Sequence, residues 1–106
     1  MHEKNSQWID TIVAIATPPG IGAIGVIRVS GIKTFEIINK IYPSKDLSLQ
    51  LPNTIHVGYL KHENNILDEV VISVFKSPAS YTGEDVIEIS CHGSPYIQEQ
   101  VLNTIV

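Results

Sequence analysis

The stretch that decides the predicted fold is residues 10–31, DTIVAIATPPGIGAIGVIRVSG. Two of its segments, residues 11–17 and 23–30, are short, rich in Ile and Val, and bounded by Pro and Gly, which is typical of strands near the centre of a sheet. The sequence Pro-Pro-Gly-Ile-Gly of residues 18–22 joins them. Because proline locks φ and glycine permits positive φ, we expect this connection to be a rigid loop.

The glycines of this stretch also match the spacing of a dinucleotide-binding turn. Gly20, Gly22 and Gly25 form a G-x-G-x-x-G pattern. In a dinucleotide-binding domain these glycines open a helix whose N-terminal N–H groups hold the pyrophosphate, whereas residues 23–30 predict a strand. We therefore favour a structural role, in which the glycines let the loop turn and let strands pack closely, over nucleotide binding.

The rest of the chain predicts an α+β fold. Ser30 is the predicted N-cap of a helix over residues 32–41, and Ser94 with Pro95 begins a last helix. Between the helices the pattern predicts a short edge strand, a hairpin and a further strand, over residues 47–51, 54–61 with 70–75, and 86–91. The expected architecture is a mixed β-sheet with helices on one face.

The domain organisation follows from the same pattern. Residues 1–9 are mostly polar and are expected to form a flexible lead-in, and residues 10–106 are expected to form one domain. The last helix is still periodic at Val106 and shows no C-cap residue. We therefore expect the chain to be a fragment of a longer protein.

Composition narrows the classes of function. Of the 106 residues 43% are hydrophobic and 17% are charged, which is globular and slightly apolar and suggests a surface kept for a second copy of the chain. The net charge of −4 offers no basic stripe, so this domain alone is not expected to hold a nucleic-acid backbone. Cys91 is the only cysteine, and no segment resembles a signal peptide or a membrane span. A cytoplasmic location is expected.

Strand alternation places two charges in the middle of apolar runs. In residues 23–30, Arg28 shares a face with apolar neighbours, and in residues 86–92, Glu88 shares a face with Ser90 and His92. A charge in such a position needs a partner or solvent. Two explanations stay open: an Arg28–Glu88 salt bridge or an uncovered sheet face, and a polar pair that lines a ligand pocket.

Other polar residues are weaker candidates. Asp68 and Glu69 are interpreted as solvated charges at a strand start, and Cys91 as a small core residue. Cys91 and His92 are adjacent on a strand and point to opposite faces, so they form a poor nucleophile and base pair. The histidine and cysteine spacings predict no metal site, and no G-x-x-x-x-G-K-[ST] sequence predicts a nucleoside triphosphate site.

Two long motifs carry a resemblance to a known family. Residues 80–95, SYTGEDVIEISCHGSP, together with residues 10–31, closely resemble the N-terminal domain of the tRNA-modification GTPases MnmE (also called TrmE). Many members carry a basic residue where this sequence has Ile21 and a second glycine where it has Ser94. These departures concern loop details.

The resemblance implies a fold, a ligand and an assembly. The family's N-terminal domain is similar to the tetrahydrofolate-binding domains of one-carbon enzymes, forms a homodimer, and binds 5-formyl-tetrahydrofolate as the one-carbon source for modification of the wobble uridine (U34) of tRNA. Its folate-contacting arginine and glutamate fall on Arg28 and Glu88. We expect Glu88 to accept hydrogen bonds from the pterin and Arg28 to suit the carboxylate tail. The alternative is a structural dimerisation module without folate binding, in which Arg28 and Glu88 form a salt bridge.

The resemblance also implies features outside this chain. They are a further folate-binding lysine, a helical domain, an inserted GTPase domain and a C-terminal cysteine. The full-length protein is expected to hydrolyse GTP with magnesium and potassium ions, and to modify tRNA with a flavoprotein partner of the MnmG (GidA) type. The chain itself is expected to contain no catalytic residue and no metal site.

Overall fold

The computed structural model describes residues 11–16, 24–76 and 84–106. The predicted lead-in, the loop over residues 18–22 and most of the segment between the last two strands lie outside these ranges. The described strands are β1 (Ile12–Ile15), β2 (Ile24–Ser30), β3 (Thr54–His62), β4 (Asn65–Phe75) and β5 (Val86–His92). The helices are α1 (Thr34–Asn39) and α2 (Pro95–Ile105).

The five strands form one sheet in the order β1-β2-β5-β4-β3. Each of its four ladders is antiparallel, so neighbouring strands run in opposite directions and the sheet is antiparallel throughout rather than mixed. β5 lies at the centre, beside β2 and β4. The sheet and its two helices confirm the predicted α+β class. The prediction that both apolar segments of residues 10–31 lie near the centre of the sheet is wrong for the first, because β1 is an edge strand whose residues are mostly exposed.

The hydrophobic core lies between the helices and one face of the sheet. Alternate residues of β2, β4 and β5 are buried on this face and pack with residues of the helices and of the connection after α1. The fully buried members are Ile27, Val29, Ile38, Leu47, Leu60, Ile72, Val74, Ile87, Ile89 and Val101. Burial on alternate positions is the pattern of a sheet that has helices on one face only.

The first helix is shorter in the structure, at both ends, than the predicted helix over residues 32–41. Ser30 is the last residue of β2 and pairs with Val86, so it is not the N-cap. The helix begins at Thr34, whose hydroxyl donates to the carbonyl oxygen of Gly31 at 2.8 Å and so closes the turn out of the strand. The predicted cap at the second helix is confirmed, since the hydroxyl of Ser94 accepts from the backbone N–H of Tyr96 at 3.2 Å.

The predicted edge strand over residues 47–51 is wrong. Leu47–Leu49 form a 3₁₀ turn, because the carboxylate of Asp46 accepts hydrogen bonds from the backbone N–H of Ser48 and the amide of Asn39. Leu47 is buried in the core while Leu49 is exposed. The alternation of three leucines therefore did not mark a strand.

The predicted hairpin is confirmed, and its second strand is longer than predicted. β4 begins at Asn65 rather than at residue 70, directly after a two-residue turn in which Glu63 has a positive φ of 58°. A register shift between Leu60 and Lys61 interrupts the ladder near this turn. The extra residues bring Asp68 and Glu69 into the sheet.

Gly25 lets α2 approach β2 closely. The strand conformation of Gly25 confirms that it does not open a helix, so the described part of the glycine pattern has a structural role. A Cβ atom at this position would lie 2.5 Å from the side-chain carbon Cδ of Gln98. Gln98 is itself buried, and its amide donates to the carbonyl oxygen of Gly93 at 3.1 Å.

Cys91 is a core residue, as predicted. It is 3% exposed, and its thiol donates to the carbonyl oxygen of Gly25 at 3.5 Å. Burial, with a smaller contribution from the carboxylate of Asp68, raises the pKa of the thiol to about 11. The thiol is therefore protonated near neutral pH.

We expect Gly25→Ala to lower the free energy of unfolding by about 1–3 kcal/mol, because the added methyl group would overlap the buried side chain of Gln98. Chemical denaturation measures this change. Gln98→Ala makes room for the methyl group, so the double variant should lose less than the sum of the two single losses. Strictly additive losses would show that the two side chains do not meet.

We expect Cys91 of the folded chain to react with a thiol reagent about a hundredfold more slowly near pH 8 than in denaturant, because its raised pKa and burial suppress the thiolate. Labelling followed by mass spectrometry measures both rates. Equal rates would contradict the core position of the thiol.

Candidate functional site

Arg28 and Glu88, the two residues that sequence alternation selected, lie directly opposite each other on β2 and β5. The Nε and Nη2 atoms of Arg28 donate to the same carboxylate oxygen, Oε2 of Glu88, at 2.9 and 2.8 Å. The side chains are 41% and 23% exposed. The structure therefore contains the salt bridge that was one of the two open explanations, and places it within reach of a ligand.

The pair lies on the sheet face that α1 and α2 leave uncovered, which we call the open face. Burial alternates along β5 as predicted, with Ile87, Ile89 and Cys91 on the helix side. On the open face, cross-strand pairing puts Ala14 beside Arg28 and Ser73 beside Glu88. The pair is therefore at the middle of the face.

Apolar side chains surround the pair on the open face. The adjacent cross-strand row contains Val26, Ser90, Val71 and Val57. Several of the large apolar residues on the open face are strongly exposed, namely Ile12, Ile24, Ile55, Val57 and Tyr59. Isolated apolar residues are normal on a surface, but a contiguous set around a charged pair indicates a surface that a ligand or a partner covers.

The Arg28–Glu88 pair offers hydrogen-bond donors and acceptors to a ligand. A guanidinium donates and a carboxylate accepts, so together they present adjacent donors and acceptors in one plane. Within the described ranges no three acidic, histidine or cysteine side chains are placed to hold a metal ion. The chemistry that fits is recognition of a planar group with a complementary hydrogen-bonding edge.

A second polar pair, Asp68 and His92, lies at the end of β5 and was missed in the sequence. Asp68 is only 9% exposed in its side chain, so its interpretation as a solvated charge was wrong. Its two carboxylate oxygens accept from Nδ1 of His92 at 2.6 Å and from the backbone N–H of His92 at 2.8 Å. The sequence could have indicated the burial of Asp68, because this residue lies two positions before Val70 and therefore shares the buried face of the strand.

Among the residues that the structure describes, His56 makes contacts outside this site. His56 lies on β3, where its Nδ1 accepts from the ammonium group of Lys45 at 3.2 Å. Its Nε2 lies 2.9 Å from the hydroxyl oxygen of Thr54, which itself donates to the carbonyl oxygen of Leu51. Burial, with the charge of Lys45, lowers the pKa of His56, so these contacts hold it neutral.

Within the described ranges, no helix combines the length and the apolar character of a membrane span. The sites found are thus a central ion pair and a histidine–carboxylate pair, both on a five-stranded sheet.

Comparison with known proteins places this arrangement in a family. A family model described as "GTP-binding protein TrmE N-terminus" matches residues 11–106. Among the similar proteins, "tRNA modification GTPase MnmE" of Cytophaga hutchinsonii is 54% identical over 96 residues, which are 91% of this chain and 21% of that protein. The protein of the same name from Flavobacterium johnsoniae is 54% identical over 99 residues, 91% of this chain and 21% of that protein.

A further relative has a lower identity to the chain. "tRNA modification GTPase MnmE" of Fervidobacterium nodosum is 46% identical over 99 residues, covering 91% of this chain and 22% of that protein. The chain thus spans about a fifth of the length of the relatives it matches. Since the family match covers nearly the whole chain, the chain belongs to the TrmE N-terminal family, as the N-terminal domain of an MnmE-type protein.

Proposed function

We propose that this chain is the folate-binding and dimerisation domain of a tRNA-modification GTPase, and that its open face binds 5-formyl-tetrahydrofolate. GTP hydrolysis with magnesium and potassium, the flavoprotein partner and modification of U34 in tRNA would involve the four-fifths of the relatives' length beyond this chain. The proposed location is the cytoplasm. The observation that carries the proposal is the Arg28–Glu88 pair at the centre of an apolar sheet face.

The pair matches the hydrogen-bonding edge of a pterin. That edge presents a carbonyl oxygen, a ring N–H and an amino group side by side. The carboxylate of Glu88 can accept from the ring N–H and the amino group, while the guanidinium of Arg28 donates to the carbonyl oxygen. Such recognition leaves few groups unpaired and distinguishes a pterin from an apolar ring of the same size.

The contact between the two side chains changes the role we propose for Arg28. From the sequence we expected Glu88 at the pterin and Arg28 at the carboxylate tail. Because the guanidinium and the carboxylate are hydrogen-bonded to each other at 2.8 Å, both groups meet the ligand at one place. We therefore propose that both serve the pterin and that the tail is bound elsewhere.

The second candidate is a structural dimerisation module that binds no folate. The observed salt bridge is as consistent with this candidate as with the folate-binding one. A partly exposed ion pair stabilises a fold by only about 0–1 kcal/mol. Stabilisation of the fold therefore explains the two charges on an apolar face poorly, whereas recognition of a ligand explains them directly. Binding distinguishes the two candidates.

A homodimer through the open face would bury its exposed apolar side chains. Val57 is 61% exposed and Ile55 is 68% exposed on the outermost strand, next to Val71. Apolar area removed from water stabilises an interface, and a second copy would also supply walls for a ligand that one flat face leaves exposed.

We expect 5-formyl-tetrahydrofolate to bind the chain saturably in calorimetry, and Glu88→Gln to weaken binding by about tenfold or more, because one pterin donor loses its acceptor. Arg28→Met should also weaken it. Glu36→Gln, an exposed carboxylate on α1, is the matched control and should bind as the wild type does. A folded dimer that binds no folate would support the structural candidate instead.

We expect Val57→Lys to raise the dimer dissociation constant by at least about tenfold, because it places a charge in the proposed apolar interface. Light scattering at several concentrations measures the change, and circular dichroism should show an intact fold. Leu49→Lys, at an exposed leucine outside the open face, is the control. If both variants keep the wild-type mass, the interface lies elsewhere.

A further inference from the structure

We infer that His92, held by the buried carboxylate of Asp68, binds the glutamate tail of the folate at the end of the open face. This inference rests on the proposed folate site and adds to it a second contact, about one ligand length from the Arg28–Glu88 pair.

The Asp68–His92 contact fixes the imidazole in one orientation. Both oxygens of the carboxylate accept from His92, at 2.6 Å from Nδ1 and 2.8 Å from the backbone N–H. Because a carboxylate only accepts, Nδ1 carries a proton, and Nε2 is the ring nitrogen that can meet a ligand. The side chain of His92 is 70% exposed while that of Asp68 is 9% exposed. A buried group thus orients an accessible one.

The position of His92 suits the far end of an extended folate. His92 follows Glu88 by four residues on the same face of β5, so the two lie about 13 Å apart along the strand. A pterin on Glu88 would place its benzoyl group over the row that contains Val26, Ser90 and Val71. Beyond this row a concavity of about 190 Å³ opens beside His92 and Glu69.

The donor that His92 can offer is the reason to place the tail at this end of β5. Its Nδ1 is taken up by the carboxylate of Asp68, so Nε2 is the ring nitrogen left to meet the tail. A protonated His92 would donate from Nε2 to a tail carboxylate, which is a charge-assisted hydrogen bond. Glu69, which lines the same concavity, opposes it.

The test compares two ligands on matched variants by calorimetry at several pH values between about 6 and 8. One ligand is 5-formyl-tetrahydrofolate, and the other is its diamide, in which both glutamate carboxylates are neutral carboxamides. Near pH 6, His92→Gln should weaken binding of the folate about fivefold and leave that of the diamide nearly unchanged. Wild-type binding of the folate should strengthen as the pH falls, and His92→Gln should flatten this dependence.

Two further variants sharpen the test. Glu69→Gln removes the opposing charge and should strengthen folate binding about twofold at low salt. His62→Gln, at the exposed end of β3, is the matched control and should keep the wild-type affinity and pH dependence.

The outcomes separate the two proposals. If the wild type binds folate, Glu88→Gln weakens both ligands and His92→Gln weakens neither, the folate site stands and the tail contact is refuted. An equal loss for both ligands in His92→Gln would also refute it, because the contact would not involve the tail. No binding by the wild type would overturn the folate site and the tail contact together.

Discussion

The antiparallel register between β2 and β5 is the constraint on which the structure depends. It pairs Ile27 with Ile89 on the helix side and Arg28 with Glu88 on the open face. Since strand side chains alternate, a slip of one residue would bury the two charges and expose the core residues, at a cost of several kcal/mol per unpaired buried charge. The hydrophobic core and the candidate site are therefore two consequences of one pairing.

The same register explains why the central part of the site could be predicted. Alternation in residues 23–30 and 86–92 was enough to assign Arg28 and Glu88 to one face each, and the cost of an unpaired charge indicated that each needs a partner or solvent, with an Arg28–Glu88 salt bridge as one of the alternatives. The parts of the fold farther from this pair depend on side-chain contacts and strand pairings that the periodicity of the sequence does not reveal. The capping carboxylate of Asp46 turned the leucine alternation into a 3₁₀ turn, and the extension of β4 back to Asn65 carried Asp68 into the sheet.

Local signals were reliable where the interaction itself is local. Ser94 and Pro95 begin a helix because a hydroxyl accepts from an N–H two residues along the chain. Ser30 has the same chemistry but remains in β2, because its ladder partner Val86 comes from a distant part of the sequence. Tertiary pairing overrode the capping preference there. Knowledge of which strands pair would have corrected both the helix start and the role of Asp68.

The open face joins the two roles proposed for this domain. An apolar sheet surface with one central ion pair can bind a flat heterocycle, and the same surface can be covered by a second copy of the chain. In a protein about five times as long, a ligand bound here would lie on the scaffold that holds two copies together. The one-carbon donor and the dimer would then depend on the same strands.

A structure of the chain bound to 5-formyl-tetrahydrofolate tests the central claim most directly, through the distances from Glu88 and Arg28 to the pterin. We expect the carboxylate of Glu88 within hydrogen-bond distance of the pterin ring N–H and amino group, and the guanidinium of Arg28 within hydrogen-bond distance of its carbonyl oxygen. A complex with the ligand elsewhere, and with the Arg28–Glu88 pair out of reach of the pterin, would contradict the assignment.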